Sequence, residues 1–152
     1  MGIEHSYNFR RVDQRLTTSG LATVEQLAGL RGEGYDAVIN LLPDEYEHAV
    51  PDEAAIVRDQ GLDYAYLPVD FEAPAHSDFE AFSHAMDEHD GQTLHVHCAA
   101  NYRVSAFYGL YAVRHGLWSA ADADAFVQDV WDPSDYPAWR AFIQSERERI
   151  VG

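Results

Sequence analysis

The 152 residues contain one cysteine, Cys98, in the run His95-Val96-His97-Cys98-Ala99-Ala100-Asn101-Tyr102-Arg103-Val104-Ser105. The run opens as an apolar strand and closes in a long segment of helical apolar period, so Cys98 stands where a strand hands over to a helix. A loop of that kind turns backbone N–H groups inward and adds the positive end of a helix dipole, which together make an anion cradle. With Cys98 at its floor, the helix N-terminus and the Arg103 guanidinium both favour the charged thiolate, the nucleophilic form of the side chain. Arg103 can also fork two oxygens of a bound oxyanion. Ala99, Ala100, Asn101, Tyr102 and Val104 complete the cradle through their backbone. Asparagine is the non-glycine residue best suited to a left-handed backbone, so Asn101 is assigned a backbone role.

A nucleophile that releases an alkoxide needs a proton donor, and a carboxylic acid on a neighbouring loop can supply it. Asp70, just past the apolar run Asp63 to Val69, is the first choice, with Glu72 and Asp78 as alternates. His95 and His97 share one face of their strand and, with Cys98, raise the possibility of zinc. Two histidines and one cysteine lack the second ligand pair of a structural site, so no metal is assigned. His97 is instead expected to be buried beside the loop, hydrogen-bonded to its backbone and tuning Cys98.

The elements that must position these residues follow from periodicity and stop signals. Leu16 to Gly20 reads as a short strand entering a turn. Thr23 with Gln26 forms a capping box for a helix carrying Val24, Leu27, Ala28 and Leu30, stopped by Gly32 and Gly34. Tyr35 to Leu42 is a buried strand and Pro51 to Gln60 a helix ended by Gly61. Asp63 to Val69 is the next strand. Ser77 with Glu80 caps a helix ended at Asp90-Gly91, and Thr93 to His97 is the strand that delivers Cys98. Helices follow at Val104 to His115, Ser119 to Val130 and Tyr136 to Ile150. Strands alternating with helices call for an α/β fold: one domain over residues 1–152, with a mainly parallel central sheet of about four to five strands flanked by helices and C-terminal helices covering one face. In such a sheet, sites form beyond the carboxyl ends of the strands, which places the Asp70 and Cys98 loops on one edge.

The formal net charge is −16, from 26 acidic residues against ten arginines and no lysine. Nucleic acid and anionic membranes are therefore excluded as partners, because phosphate contacts need a basic face. Any anionic substrate must be captured locally. So acidic a surface is also what a protein kept soluble in high salt would carry. A lone cysteine and the lack of a long apolar run or leader-like N-terminus point to a reducing, cytoplasmic setting.

His97-Cys98, a short loop, Arg103 and Ser105 resemble the signature of cysteine-dependent protein phosphatases of the dual-specificity and bacterial tyrosine-phosphatase type. That pattern has five residues between cysteine and arginine, followed at once by Ser or Thr. Here four residues separate Cys98 from Arg103, Val104 occupies the arginine slot, and Ser105 stands seven residues after Cys98, at the family's hydroxyl position. The resemblance covers roughly residues 10 to 120. It implies phosphate monoester hydrolysis through a phosphocysteine on Cys98, Asp70 as general acid 28 residues upstream, Ser105 assisting, no cofactor, and a phosphorylated protein or small molecule as substrate. A four-residue gap is also the loop length of rhodanese-like sulfurtransferases, and a catalytically weak phosphate-binding relative is the third reading.

Overall fold

β-branched and apolar runs bounded by turn residues form the sheet of the computed structural model, which describes residues 2–151. The strands are β1 (Arg10–Arg11), β2 (Leu16–Ser19), β3 (Ala37–Asn40), β4 (Asp63–Tyr66) and β5 (Leu94–His97). Their order is β1-β2-β5-β3-β4, parallel throughout except for the antiparallel edge strand β1. The two-residue β1 was not foreseen, because a dipeptide of arginines carries no alternation to read. β5 lies in the middle, with Thr17 and Val38 in register with His95, and Ser19 and Asn40 in register with His97. All four of its residues are buried.

Two helices cover one face: α1 (Val24–Ala28) and α2 (Glu53–Arg58). They close over Leu27, Leu30, Tyr35, Val38, Val57 and Leu62. The other face carries α3 (His76–Glu88), α4 (Tyr102–Arg114), α5 (Ala120–Val130) and α6 (Pro137–Val151), packed on Leu16, Ile39, Leu94, Val96, Phe79, Phe82, Phe107 and Trp139. This is the α/β architecture expected, with a mainly parallel sheet and the C-terminal helices on one face. Side chains alternate across a strand, so Leu94 and Val96 enter the larger core while His95 and His97 look toward the α1–α2 layer.

The Thr23–Gln26 capping box forms as expected, and Ser119 caps α5. The start of α3 is corrected. It lies at His76, and the Asp78 carboxylate accepts the Ala75 N–H at 3.0 Å, so the cap sits two positions before the Ser77–Glu80 pair. α4 likewise begins at Tyr102, two residues earlier than Val104, because Asn101 makes the turn into the helix. The strands are shorter than the apolar runs that contain them: β4 stops at Tyr66, before Pro68.

Candidate active site

The loop after β5 is built from both sides of the sheet. Asn101 adopts φ 68°, ψ 7° and precedes the first turn of α4. Its Nδ2 donates to Thr18 Oγ1 and to the Asn8 carbonyl, both at 2.9 Å. Asn8, itself at φ 52°, returns a bond from Nδ2 to the Ala100 carbonyl at 3.0 Å. The Leu21 N–H donates to the Ala99 carbonyl at 2.9 Å, and the Cys98 N–H to Ser19 at 3.2 Å. Gly20 bridges to Ala100, and a Cβ there would stand 2.4 Å from the Ala99 oxygen. The loop carbonyls are thus occupied. Among the described residues, no acceptor meets the N–H groups of residues 102–104, the donors that an anion at a helix start takes.

Arg103 lies in the first turn of α4, only 7% exposed. Its guanidinium carbon sits 5.2 Å from the centre of the Phe71 ring, and its Nε has no hydrogen-bond partner. Beside it opens a cavity of about 760 Å³ walled by Pro43, Glu45, Tyr46, Pro68, Asp70, Phe71, Glu72, Ala99, Ala100, Tyr102, Arg103 and Tyr136. The ends of β3, β4 and β5 therefore meet at one site, and Asp70, Glu72 and Arg103 share it. Asp70 is exposed, and its Oδ1 accepts the Glu72 N–H at 2.9 Å. Asp78 is tied to the α3 cap and does not line the cavity.

Cys98 and Val104 have no exposed surface and join the core behind the cavity wall. Ser105 is buried too; its hydroxyl donates to the Tyr102 carbonyl at 3.1 Å and accepts from Trp131 Nε1 at 3.0 Å. The hydroxyl thus joins the first turn of α4 to Trp131 at the end of α5. Tyr102 stacks on Trp131 at 4.5 Å, and the Phe71 carbonyl accepts from Trp139 Nε1 at 2.8 Å, so the C-terminal helices also brace the cavity wall.

Beneath the loop, His97 is 2% exposed. Its Nδ1 lies 3.4 Å from the Cys98 carbonyl oxygen, and its Nε2 makes a short hydrogen bond to Glu53 at the start of α2. Burial opposes a charge on this ring, but the Glu53 charge, the Glu53 hydrogen bond and the Cys98 carbonyl together outweigh it and hold His97 above the ordinary histidine range. His95 goes the other way. Burial first, and the neighbouring His97 second, push it well below the usual value. It is satisfied by Thr17 Oγ1 at 2.8 Å and Ser19 Oγ at 2.9 Å.

Glu53, Asn8, Gly20 and Phe71 were not singled out in the sequence. Glu53 is one of 26 acids, and Asn8 lies where no period shows. Gly20 reads as an ordinary turn glycine, and only Phe71, adjacent to Asp70, carried a positional hint. Among the described residues, no three His, Cys, Asp or Glu side chains gather as a metal site, and no helix is long and apolar enough to cross a membrane.

No family model matches the chain. A crystal structure of a candidate phosphatase of the DUF442 group from Shewanella putrefaciens CN-32 superposes with a TM-score of 0.86 at 37% identity, covering 97% of this chain and 93% of that one. The chain belongs to the DUF442 group. The fold extends to Pseudomonas aeruginosa TpbA, solved as a variant in complex with phosphotyrosine: TM-score 0.71, 16% identity, 95% of this chain and 91% of that one. A curated relative, the "Beta-lactamase hydrolase-like protein" of Xylella fastidiosa, is 31% identical over 117 residues, 75% of this chain. The chain spans 27% of that protein's length.

Proposed function

We propose that the protein hydrolyses a phosphate monoester, of the protein-tyrosine or dual-specificity type, through a phosphocysteine on Cys98. The observation that carries this reading is Arg103: in a chain of net charge −16, its buried guanidinium meets no carboxylate among the described residues, beside backbone N–H groups that also lack an acceptor. A buried cation left open in that way is an oxyanion ligand. The aromatic wall of Tyr46, Phe71, Tyr102 and Tyr136 fits an aryl ester, in keeping with the phosphotyrosine held by TpbA.

In this mechanism the phosphoryl oxygens take the N–H groups of residues 102–104 and Arg103. The entering oxyanion draws the guanidinium off Phe71. The thiolate attacks phosphorus, the P–O bond breaks, and the Asp70 carboxylic acid gives its proton to the departing oxygen. Asp70, now ionised, takes a proton from water as that water attacks phosphorus, and the S–P bond breaks to release phosphate and regenerate the thiolate. The N–H groups and Arg103 stabilise the charge in both steps. No cofactor enters, and a reduced Cys98 suits a cytoplasmic setting.

Two observations favour a second reading, rhodanese-like sulfur transfer. Only four residues separate Cys98 from Arg103, and the Ser105 hydroxyl is held by Trp131 and Tyr102. There the thiolate would attack the outer sulfur of thiosulfate, sulfite would leave, and the resulting persulfide would pass its sulfur to cyanide. The deciding experiment assays aryl phosphate hydrolysis and thiosulfate-to-cyanide transfer side by side, in wild type and Cys98→Ser. Phosphate turnover by wild type, lost in Cys98→Ser with aryl phosphate binding retained, is the expected result. Transfer of sulfur without phosphate turnover establishes the second reading, and binding without either turnover leaves a phosphate-binding relative.

A further inference from the structure

The buried pair Glu53–His97 lies on the opposite face of the sheet from the larger core, and the mechanism above makes no use of it. Glu53 is 5% exposed and His97 2%. Both partners of the imidazole are oxygens: the Glu53 carboxylate at Nε2 and the Cys98 carbonyl at Nδ1. A carbonyl only accepts, and an ionised carboxylate only accepts, so satisfying both bonds needs a proton on each ring nitrogen. The ring is then an imidazolium balanced by the Glu53 carboxylate, one residue from Cys98.

The approach of Glu53 is also fixed from its own side. Asp52, immediately before it, has φ 58°, one of three non-glycine residues with positive φ among those described. The other two are Asn8 and Asn101, which fasten the Cys98 loop. Such conformations persist where the surroundings over-determine them. The segment ahead of α2 carries Glu45 and Tyr46 of the cavity wall, so the pair joins that wall to the loop.

We propose that Glu53 is a positioning residue: it holds His97 as an imidazolium whose Nδ1–H fixes the Cys98 carbonyl and whose charge favours the thiolate. About the pair stand His95, stacked on His97 at 6.1 Å, Tyr64 on β4, and Arg58, 5.5 Å over the Tyr64 ring, with Asp44, Glu47, Asp52 and Tyr66 lining the same cavity as Glu53. His95 is held neutral, and burial, followed by the Glu53 charge, pushes the Tyr64 hydroxyl up so that it too stays neutral. Glu53 is the carboxylate hydrogen-bonded to His97, and its charge keeps the proton on that ring. The inference is independent of whether Cys98 attacks phosphorus or sulfur.

The test uses the single cysteine as its own probe. Thiolate absorbance near 240 nm, taken as the difference from Cys98→Ser, is titrated in wild type, Glu53→Gln and Glu53→Asp, with the His97 ring nitrogens followed by ¹⁵N NMR. Gln keeps a hydrogen-bonding partner but no charge. The thiolate midpoint is expected to move up by about one pH unit in Glu53→Gln, a tenfold loss of thiolate at a fixed pH below both midpoints, with one His97 nitrogen deprotonated at pH 7 and Glu53→Asp restoring most of the shift. His97→Asn, which keeps a donor without the charge, is expected to reproduce the upward shift and serves if Glu53→Gln does not fold. A folded variant with the wild-type midpoint overturns the proposal, and so does a wild-type His97 carrying one ring proton at pH 7.

Discussion

The loop after β5 and the turn after β4 both reach the cavity, but they are held in different ways. The first is tied to three distant parts of the chain: Asn8, the strand β2 through Thr18 and Ser19, and the Gly20–Leu21 step. The second is fastened at Val69, whose N–H donates to Leu41, and through the Phe71 carbonyl, which accepts from Trp139. Asp70 and Glu72 between them make local bonds and remain exposed. A cradle that must present several N–H groups at fixed angles gains from being over-determined, because preorganised donors need not reorganise when charge develops. A proton donor must reach, release and recover a proton, and a turn held at its ends allows that.

The largest expected effect breaks the adjustable side. Asp70→Asn should slow turnover of esters with poor, basic leaving groups by roughly 10²- to 10⁴-fold, and good leaving groups far less, since that is the usual range of general-acid assistance. The exposed turn loses no packing, so the thermal midpoint should hold. Equal slowing of both substrate classes shows that the acid lies elsewhere, with Glu72 on the same wall as the next residue to replace.

Gly20→Ala attacks the rigid side. The added Cβ would meet Ala99 O and Ala100 Cα, at 2.4 and 2.7 Å, and backbone cannot step aside cheaply. An overpacking cost of about 1–3 kcal/mol is expected, so the variant should lower the melting temperature and weaken oxyanion binding together, read by calorimetry and vanadate titration. If stability drops but vanadate affinity is unchanged, the loop is not the binding element.

The smallest effect separates the two histidines beneath that loop. His95 has a folded pKa below its ordinary 6.5, so its contribution is present above pH 6.5 and is lost as pH falls below that value. His97 is raised, so its contribution is complete below pH 6.5 and declines only as pH rises through its folded value. Acidification from pH 6.5 to 5 should therefore lower the melting temperature of wild type, and His95→Gln should flatten that slope. The same slope in both proteins removes His95 as the cause. Glu80, lowered from 4.5 chiefly by its hydrogen bond to Arg114, acts below that window.

Much of this was legible before any coordinates. Cys98 stands out because it has no competitor, and Arg103 because a cation five positions after a strand-end cysteine falls in the first helical turn. The alternation of strands and helices dictated a parallel sheet, and the rule that sites open beyond its carboxyl ends placed the Asp70 and Cys98 loops on one edge. Asn101 was assigned its left-handed turn from residue type alone. Ser105 shows the limit: its spacing from Cys98 suggested a role for the hydroxyl, but nothing local announced that Trp131, 26 residues later, donates to it.

The sequence by itself determined the local choices, since caps, turns, periods and the reactive side chain depend on neighbours within a few positions. Only the tertiary structure decided the partners of the site: Asn8 and Gly20 against the loop, Phe71 under Arg103, Glu53 against His97. These pairs lie far apart in the chain, and among many similar acids and aromatics nothing local marks the one that the fold brings within hydrogen-bond reach.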